Sequence, residues 1–199
     1  MPDSSLISTI SVSTVSQILA LQVWRQSCLF DIANMAFIHL TSDRSMARTQ
    51  ALCLRAALSS PAPPFARNLF VSLEADASAN LIVLHSIESF ESVHVSAPNI
   101  HDALPLQFSQ ITRTDDYFPS FSSLQHLEIQ TSILFSPSYI SWTPQALRSP
   151  SLHTIDLGRL ALPAPHQWAE LLHALDIPSL RCFSVTADAP RAVHVAAFQ

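Results

Sequence analysis

The hexapeptide Leu124-Gln125-His126-Leu127-Glu128-Ile129 recurs as Leu152-His153-Thr154-Ile155-Asp156-Leu157 and again as Leu180-Arg181-Cys182-Phe183-Ser184-Val185. The copies begin at positions 124, 152 and 180, so the spacing is the same in both steps. Each copy has apolar residues at its first, fourth and sixth positions, and a serine precedes each copy. A constant period of roughly 20 to 29 residues with this pattern is typical of stacked leucine-rich repeats. The sequence therefore predicts an α/β fold, a leucine-rich-repeat solenoid with parallel strands on the concave face and irregular helices on the convex face.

Alternation within each hexapeptide predicts which side chains face a partner. Successive side chains of a strand point to opposite faces, so Leu127 and Ile155 are predicted to be buried. Glu128 and Asp156 are expected to be near neighbours, because adjacent strands lie about 4.8 Å apart. The residues predicted to line the concave, partner-binding face are His94, His126, Glu128, Gln130, Thr154, Asp156, Ser184 and Thr186.

The rest of the chain predicts less regularly spaced elements. Strands are predicted at residues 37–40, 68–74 and 90–95. Helices are predicted at residues 15–29, 45–59 and 77–86, in a short piece starting at Thr143, and at 165–175. The apolar candidates are Met46, Leu52, Leu54 and Leu58 in the second helix, and Trp168, Leu171, Leu172 and Leu175 in the last. The predicted organisation is a helical N-terminal segment, residues 1–36, followed by a solenoid at 37–199 whose regular repeats begin at about residue 118.

Composition limits the kinds of partner. Charged residues make up 13% of the chain, against about 25% in average proteins. The net charge of -5 argues against nucleic acid, because phosphate binding needs a basic surface. Cys28, Cys53 and Cys182 are too widely spaced for a zinc site and fit reduced thiols of an intracellular protein. Without a secretory signal or a long apolar run, the expected location is cytoplasmic or nuclear, with no membrane association.

The block at residues 37–185, roughly three quarters of the chain, resembles the F-box-like leucine-rich-repeat proteins of mushroom-forming fungi. The resemblance lies in Phe37-Ile38-His39-Leu40, Asn68-Leu69-Phe70-Val71-Ser72-Leu73, Phe90-Glu91-Ser92-Val93-His94-Val95 and the three repeated hexapeptides. It implies that residues 1–36 are an F-box remnant that docks on a Skp-type adaptor. It also implies substrate recognition for an SCF-type ubiquitin ligase.

The chain departs from this family at two places. The Leu-Pro-x-Glu-(Ile/Leu)-Leu opening of an F-box is absent, and only Leu21-Gln22-Val23-Trp24-Arg25 is similar to the end of that module. The asparagine that usually follows each repeat strand is replaced by Ser132, Leu160 and Asp188. The first departure argues against an intact F-box, and the second argues against a regular asparagine ladder.

Residue types and spacing argue against several enzyme classes. Gly158 is the only glycine, which excludes a P-loop, a dinucleotide-binding glycine motif and a G-x-S-x-G nucleophile elbow. The nine histidines lack H-x-x-x-H or H-E-x-x-H spacing, so neither a metal nor another cofactor is expected. The row His94, Glu128, Asp156 and Ser184 contains the residue types of a hydrolase triad, but the pattern places no oxyanion donor beside them.

The sequence therefore predicts a non-enzymatic protein-interaction scaffold whose concave face binds a protein partner. One alternative is a truncated or degenerate repeat fragment without independent activity. Another is a small hydrolase, which predicts a closed pocket around Ser184 and His94.

Overall fold

The computed structural model describes residues 9–26, 33–58, 66–87, 89–98, 100, 121–139, 141–158, 160, 169, 171–172 and 179–186. The chain forms two compact units, Met1–Ile100 and His101–Gln199. Strands and helices alternate in both units, and every strand pair described below is parallel. The predicted α/β class is therefore confirmed, whereas the solenoid arrangement stays a prediction.

The first unit alternates four strands with three helices. In chain order these are β1 (Thr9–Val12), α1 (Val15–Arg25), β2 (Ala33–His39), α2 (Arg44–Leu58), β3 (Ala66–Ser72), α3 (Ala77–Leu84) and β4 (Ser92–Ser96). The strands pair in their sequence order, β1 with β2, β2 with β3 and β3 with β4. Because α2 packs against both α1 and α3, the three helices form one layer.

Strand formation in this unit follows the alternation of apolar and polar residues. In β4, Val93 and Val95 are buried, while Ser92, His94 and Ser96 are half-buried. Sequential parallel strands joined by right-handed connections place all their helices on one side of the sheet. The buried strand residues therefore form the core with the helices, and the alternate residues occupy the opposite face.

The helices begin where polar side chains can satisfy free backbone N–H groups. Thr14 and Gln17 form a capping box at the start of α1, and the carboxylate of Asp76 accepts from the N–H groups of Ser78 and Ala79 at the start of α3. The helix starts at Val15 and Ala77 are those that the sequence predicts. Beyond them the prediction is less accurate, because α1 ends at Arg25 rather than at residue 29.

The buried face of α2 differs from the predicted one. Leu54 is buried, but Met46 and Leu52 are 47% and 41% exposed and Leu58 is half-buried. The core face of α2 is built mainly from small side chains, which let the helix approach its neighbours closely; its buried residues are Ala47, Gln50, Ala51, Leu54 and Ala57.

Two buried amides hold the loops that follow β2 and β3. Gln50 of α2 accepts from the backbone N–H of Thr41 at 2.9 Å and donates to the carbonyl of Ser13 at 2.5 Å. Asn80 of α3, fully buried, accepts from the backbone N–H of Glu74 at 3.2 Å and donates to the carbonyl of the same residue at 2.6 Å. A buried amide costs free energy unless it is hydrogen-bonded, so these hydrogen bonds stabilise the positions of the loops.

The second unit contains β5 (His126–Gln130), two short 3₁₀ turns (Ile133–Phe135 and Pro137–Tyr139), α4 (Thr143–Leu147), β6 (Thr154–Gly158) and β7 (Cys182–Thr186). Its register joins equivalent positions of successive hexapeptides, because Leu127 pairs with Ile155 and Ile155 with Phe183. Leu127 and Ile155 are both fully buried. The predicted burial and the repeat spacing are confirmed here.

A buried aromatic pair and a serine connect the turns of the second unit. Trp142, fully buried, meets Phe121 edge to face with ring centroids 5.7 Å apart. The hydroxyl of Ser149 donates to the carbonyls of Phe121 and, at 3.0 Å, Leu124. The start of α4 at Thr143 agrees with the prediction.

The last strand of the second unit is less buried than the other two. Phe183 and Val185 are 38% and 36% exposed, whereas their register partners Ile155 and Leu157 are fully buried. In the predicted helix at 165–175, Leu171 is buried but Leu172 is 40% exposed, so Leu172 does not belong to the packing face. The remaining apolar candidates of that helix, Trp168 and Leu175, lie outside the described residues.

The N-terminal segment contains a strand as well as a helix, since β1 precedes α1 and pairs with β2. Strand β2 begins at Ala33, ahead of the predicted start at Phe37. The predicted division at residues 36 and 37 stays a prediction. In the described part of the chain, the helices are all too short or too polar to cross a lipid bilayer.

Candidate functional site

The polar side chains of the second unit's sheet lie in rows across its strands. We call this surface the polar face; its members are His126, Glu128, Gln130, Thr154, Asp156 and Ser184. All six are half-buried; those of β5 and β6 alternate with buried apolar residues, and Ser184 of β7 lies between the partly exposed Phe183 and Val185. Because the strands are parallel and in register, each row brings together equivalent positions of the successive repeats.

The central row contains two carboxylates and a hydroxyl. Glu128 pairs with Asp156, and Asp156 pairs with Ser184. The Ser184 hydroxyl donates to Asp156 Oδ1 at 3.1 Å. The predicted proximity of Glu128 and Asp156 is confirmed by this register. Two carboxylates on directly opposed residues repel each other, so the row is an acidic spot that a cation would stabilise.

The next row contains Gln130 and Gly158. The Gln130 amide donates to Glu128 Oε1 at 2.9 Å, which links this row to the central one. Gly158, which is buried, pairs with Thr186 of β7. The backbone of Thr186 thus continues the row, while its side chain lies outside the described part of the structure.

The remaining row consists of His126, Thr154 and Cys182. Cys182 is an exposed free thiol, and His126 and Thr154 are half-buried. The imidazole, hydroxyl and thiol can all exchange hydrogen bonds with an extended peptide. Together the three rows combine acidic, amide and hydroxyl groups, all of which can form hydrogen bonds with polar side chains and with backbone groups.

His94 belongs to the first unit and has a different environment. It lies on β4 in register with Phe70 of β3, which in turn is in register with Phe37 of β2. The rings of His94 and Phe70 stack with centroids 4.2 Å apart, and those of Phe70 and Phe37 with centroids 4.8 Å apart. The Ser92 hydroxyl lies 3.3 Å from His94 Nε2. His94 thus belongs to an aromatic row that crosses three strands.

The sequence patterns do not predict this aromatic row. Phe37 and Phe70 are half-buried and occupy strand positions opposite to the core, where the alternation predicts polar residues. The signal in the sequence is that a phenylalanine stands beside the core positions in both strands, as in Leu69-Phe70-Val71. Stacking across neighbouring strands stabilises a sheet by about 0.2–1 kcal/mol per pair, which explains the row without a ligand.

Helix α1 has one apolar face in the core and a second apolar pair outside it. Leu21 and Arg25, which carry the similarity to an F-box, are buried, and Arg25 Nη1 donates to the carbonyl of Ala57 at 2.5 Å. Burial lowers the pKa of the Arg25 guanidinium. In contrast, Leu19 and Val23 are 52% and 69% exposed. These two residues are one helical turn apart, so they lie side by side on the helix surface.

Comparison with known proteins adds no family to this description. No known protein family, no curated protein and no solved structure matches this chain.

Proposed function

We propose that this chain is a non-enzymatic interaction protein, a leucine-rich-repeat solenoid whose concave strands bind a protein partner. The observation that carries the proposal is the strand register, which follows the spacing of the hexapeptides and lines up polar side chains in rows on the face opposite the core. Further support comes from the first unit, where strands pair in sequence order and the helices form one layer. Extended one-sided binding surfaces are what repeat stacks provide.

The acidic central row favours a basic segment as the partner. Glu128 and Asp156 are register partners on neighbouring strands, so their like charges are unfavourable, and a cation beside both would lower that cost. An arginine side chain suits this position, because its planar guanidinium donates to two acceptors at once. Such a contact relieves the repulsion within the free protein and gains charge-assisted hydrogen bonds in the complex.

The acidic row can be tested by reversing its charge. We expect Glu128→Arg and Asp156→Arg each to weaken binding of an arginine-containing partner peptide at least roughly tenfold, since each change replaces attraction by repulsion. Glu91→Arg makes the same charge change at an exposed residue that is not a member of the polar face, and it should leave the affinity within about twofold. Equal affinities for all three folded variants would contradict the proposal.

The resemblance to F-box-like proteins extends the proposal to ubiquitin ligation. In this role the chain recognises a substrate, α1 docks on a Skp-type adaptor, and the chemistry belongs to other subunits. Exposed Leu19 and Val23 support an α1 docking surface, because adjacent branched apolar side chains on a helix commonly pack into a partner's groove. The buried residues of α1 already contact the rest of the first unit and are not available for this.

Co-purification with a Skp-type adaptor tests the ligase role. We expect stoichiometric capture of the wild-type chain, and loss of capture by Leu19→Glu and Val23→Glu. Ala56→Glu is the matched control, because Ala56 is an exposed position of the neighbouring helix α2. If the folded wild-type chain is not captured, the ligase role is wrong, while the binding role of the polar face is still decided by the charge-reversal variants.

A further inference from the structure

The only glycine of the chain is at a position that a side chain from the neighbouring strand fills. A Cβ atom added to Gly158 would overlap Gln130 Oε1 and would stand 2.5 Å from both Cδ and Nε2 of the same amide. Atoms that are not bonded do not approach this closely, so a side chain at position 158 and the present position of Gln130 exclude each other. The absence of a side chain at residue 158 therefore creates the space in which the Gln130 amide lies.

The same amide is bonded to the acidic row. Gln130 Nε2 donates to Glu128 Oε1 at 2.9 Å, and both residues are half-buried on the same face of β5. A hydrogen bond to a charged acceptor is among the stronger kinds in proteins. Gly158, Gln130 and Glu128 thus form a chain of contacts that crosses from β6 to β5 and ends at a carboxylate of the central row.

We infer that Gln130 is a positioning residue for Glu128, and that Gly158 is a glycine because Gln130 must lie over it. This inference rests on the proposed function, in which Glu128 meets a basic segment of a partner. Fixing the carboxylate before the partner arrives lowers the entropy lost on binding. The counterpart on the neighbouring strand is the Ser184 hydroxyl, which donates to Asp156.

The atoms that a Cβ would meet belong to the end of a flexible side chain. Gly158→Ala is therefore expected to move the Gln130 amide away from Glu128 and to leave the backbone of the sheet in place. This outcome separates a positioning role from a structural one, because replacing a glycine that the backbone conformation requires would unfold the protein.

The contact is tested first in the free protein by ¹⁵N-labelled NMR. The side-chain NH₂ signals of Gln130, identified by their loss in Gln130→Ala, should shift in Gly158→Ala while the backbone amide signals of β5 and β6 persist. Unchanged Gln130 side-chain signals in a folded Gly158→Ala protein would overturn the inference, whatever the partner is.

Binding of a synthetic oligoarginine peptide tests the consequence, with an oligoglutamate peptide as the control ligand. Gly158→Ala and Gln130→Ala should each weaken oligoarginine binding by roughly three- to tenfold. The double variant should bind as Gln130→Ala alone does, since the alanine at 158 then has no amide to displace. If the two effects multiply, Gly158 acts independently of Gln130 and the inference is wrong. If the wild-type chain does not bind the peptide, the proposed function fails, and the NMR result alone decides the contact.

Discussion

Replacing Ile155 should destabilise the second unit far more than replacing its neighbour Thr154. Ile155 is fully buried and lies on β6 between Leu127 and Phe183. Truncation of such a residue to alanine removes apolar contacts and leaves a cavity, which costs about 2–5 kcal/mol. Thr154 is half-buried on the polar face, so Thr154→Ala should cost less than about 1 kcal/mol. We expect the free energies of unfolding of the two variants to differ by at least about 2 kcal/mol.

Ile155→Asp should be worse than Ile155→Ala, because it buries an unpaired carboxylate as well as losing the apolar contacts. Its expected cost exceeds about 4 kcal/mol, a large share of the roughly 5–15 kcal/mol that stabilises a typical domain. Urea unfolding measures all three variants. The signal should come from Trp142, which is fully buried in the same unit, in a background where Trp24 and Trp168 are replaced by phenylalanine.

The comparison of Ile155→Ala with Thr154→Ala tests the strand assignment of β6. Should Ile155→Ala and Thr154→Ala unfold at the same urea concentration with the same slope, the alternation of core and polar face along β6 would be wrong. The acidic row would then lose its structural basis, since it depends on the same alternation.

Two further predictions concern the first unit. Asn80→Ala should destabilise it by about 1–3 kcal/mol, because the backbone N–H and carbonyl of Glu74 lose their buried partner; urea unfolding followed by far-UV circular dichroism checks this. Burial lowers the pKa of His85, so the folded state disfavours the charged imidazole. The corresponding stability is therefore fully present above the unfolded pKa of about 6.5 and is lost as the pH falls through the folded pKa. His85→Gln should reduce the loss of stability between pH 7.5 and pH 5, and an unchanged pH dependence would contradict this role.

The repeat of the second unit can be predicted because its strands are evenly spaced along the chain. Leu127, Ile155 and Phe183 occupy the same place in successive hexapeptides and become register partners, so one pattern shows both the strands and their pairing. In the first unit Ala36 pairs with Ile10 on one side and with Leu69 on the other, and these two steps along the chain differ in length. Connections of unequal length hide the repeat, although the local patterns still predict β3, β4 and α3.

Strand β1 and the core face of α2 show why other elements escape prediction. Only Val12 of β1 is buried, and the strand is too short for an alternation of apolar and polar residues to be recognised in the sequence. In α2 the buried residues are mostly alanines. The prediction relied on the large apolar side chains, and one of these, Met46, is exposed. Residue size is thus a poor guide where helices pack closely through small side chains.

The candidate site is predictable as far as the backbone determines it. Alternation and register place Glu128 beside Asp156, and the structure agrees. The contact of Gln130 with Glu128 depends on side-chain conformation and on the missing Cβ of Gly158, which no periodic pattern records. The stacking of Phe70 on His94 likewise depends on which phenylalanines face away from the core.

The exposure of Phe183 and Val185 on β7 implies that the strands of the polar face differ in local stability. We expect β7, whose apolar side chains are more than a third exposed, to open locally more often than β6, whose apolar residues are fully buried. Each opening of β7 removes Ser184 from Asp156 and leaves Glu128 and Asp156 in place. A partner that binds across all three strands would therefore slow amide hydrogen exchange most in β7. Binding of the partner and closure of this strand would then be thermodynamically coupled.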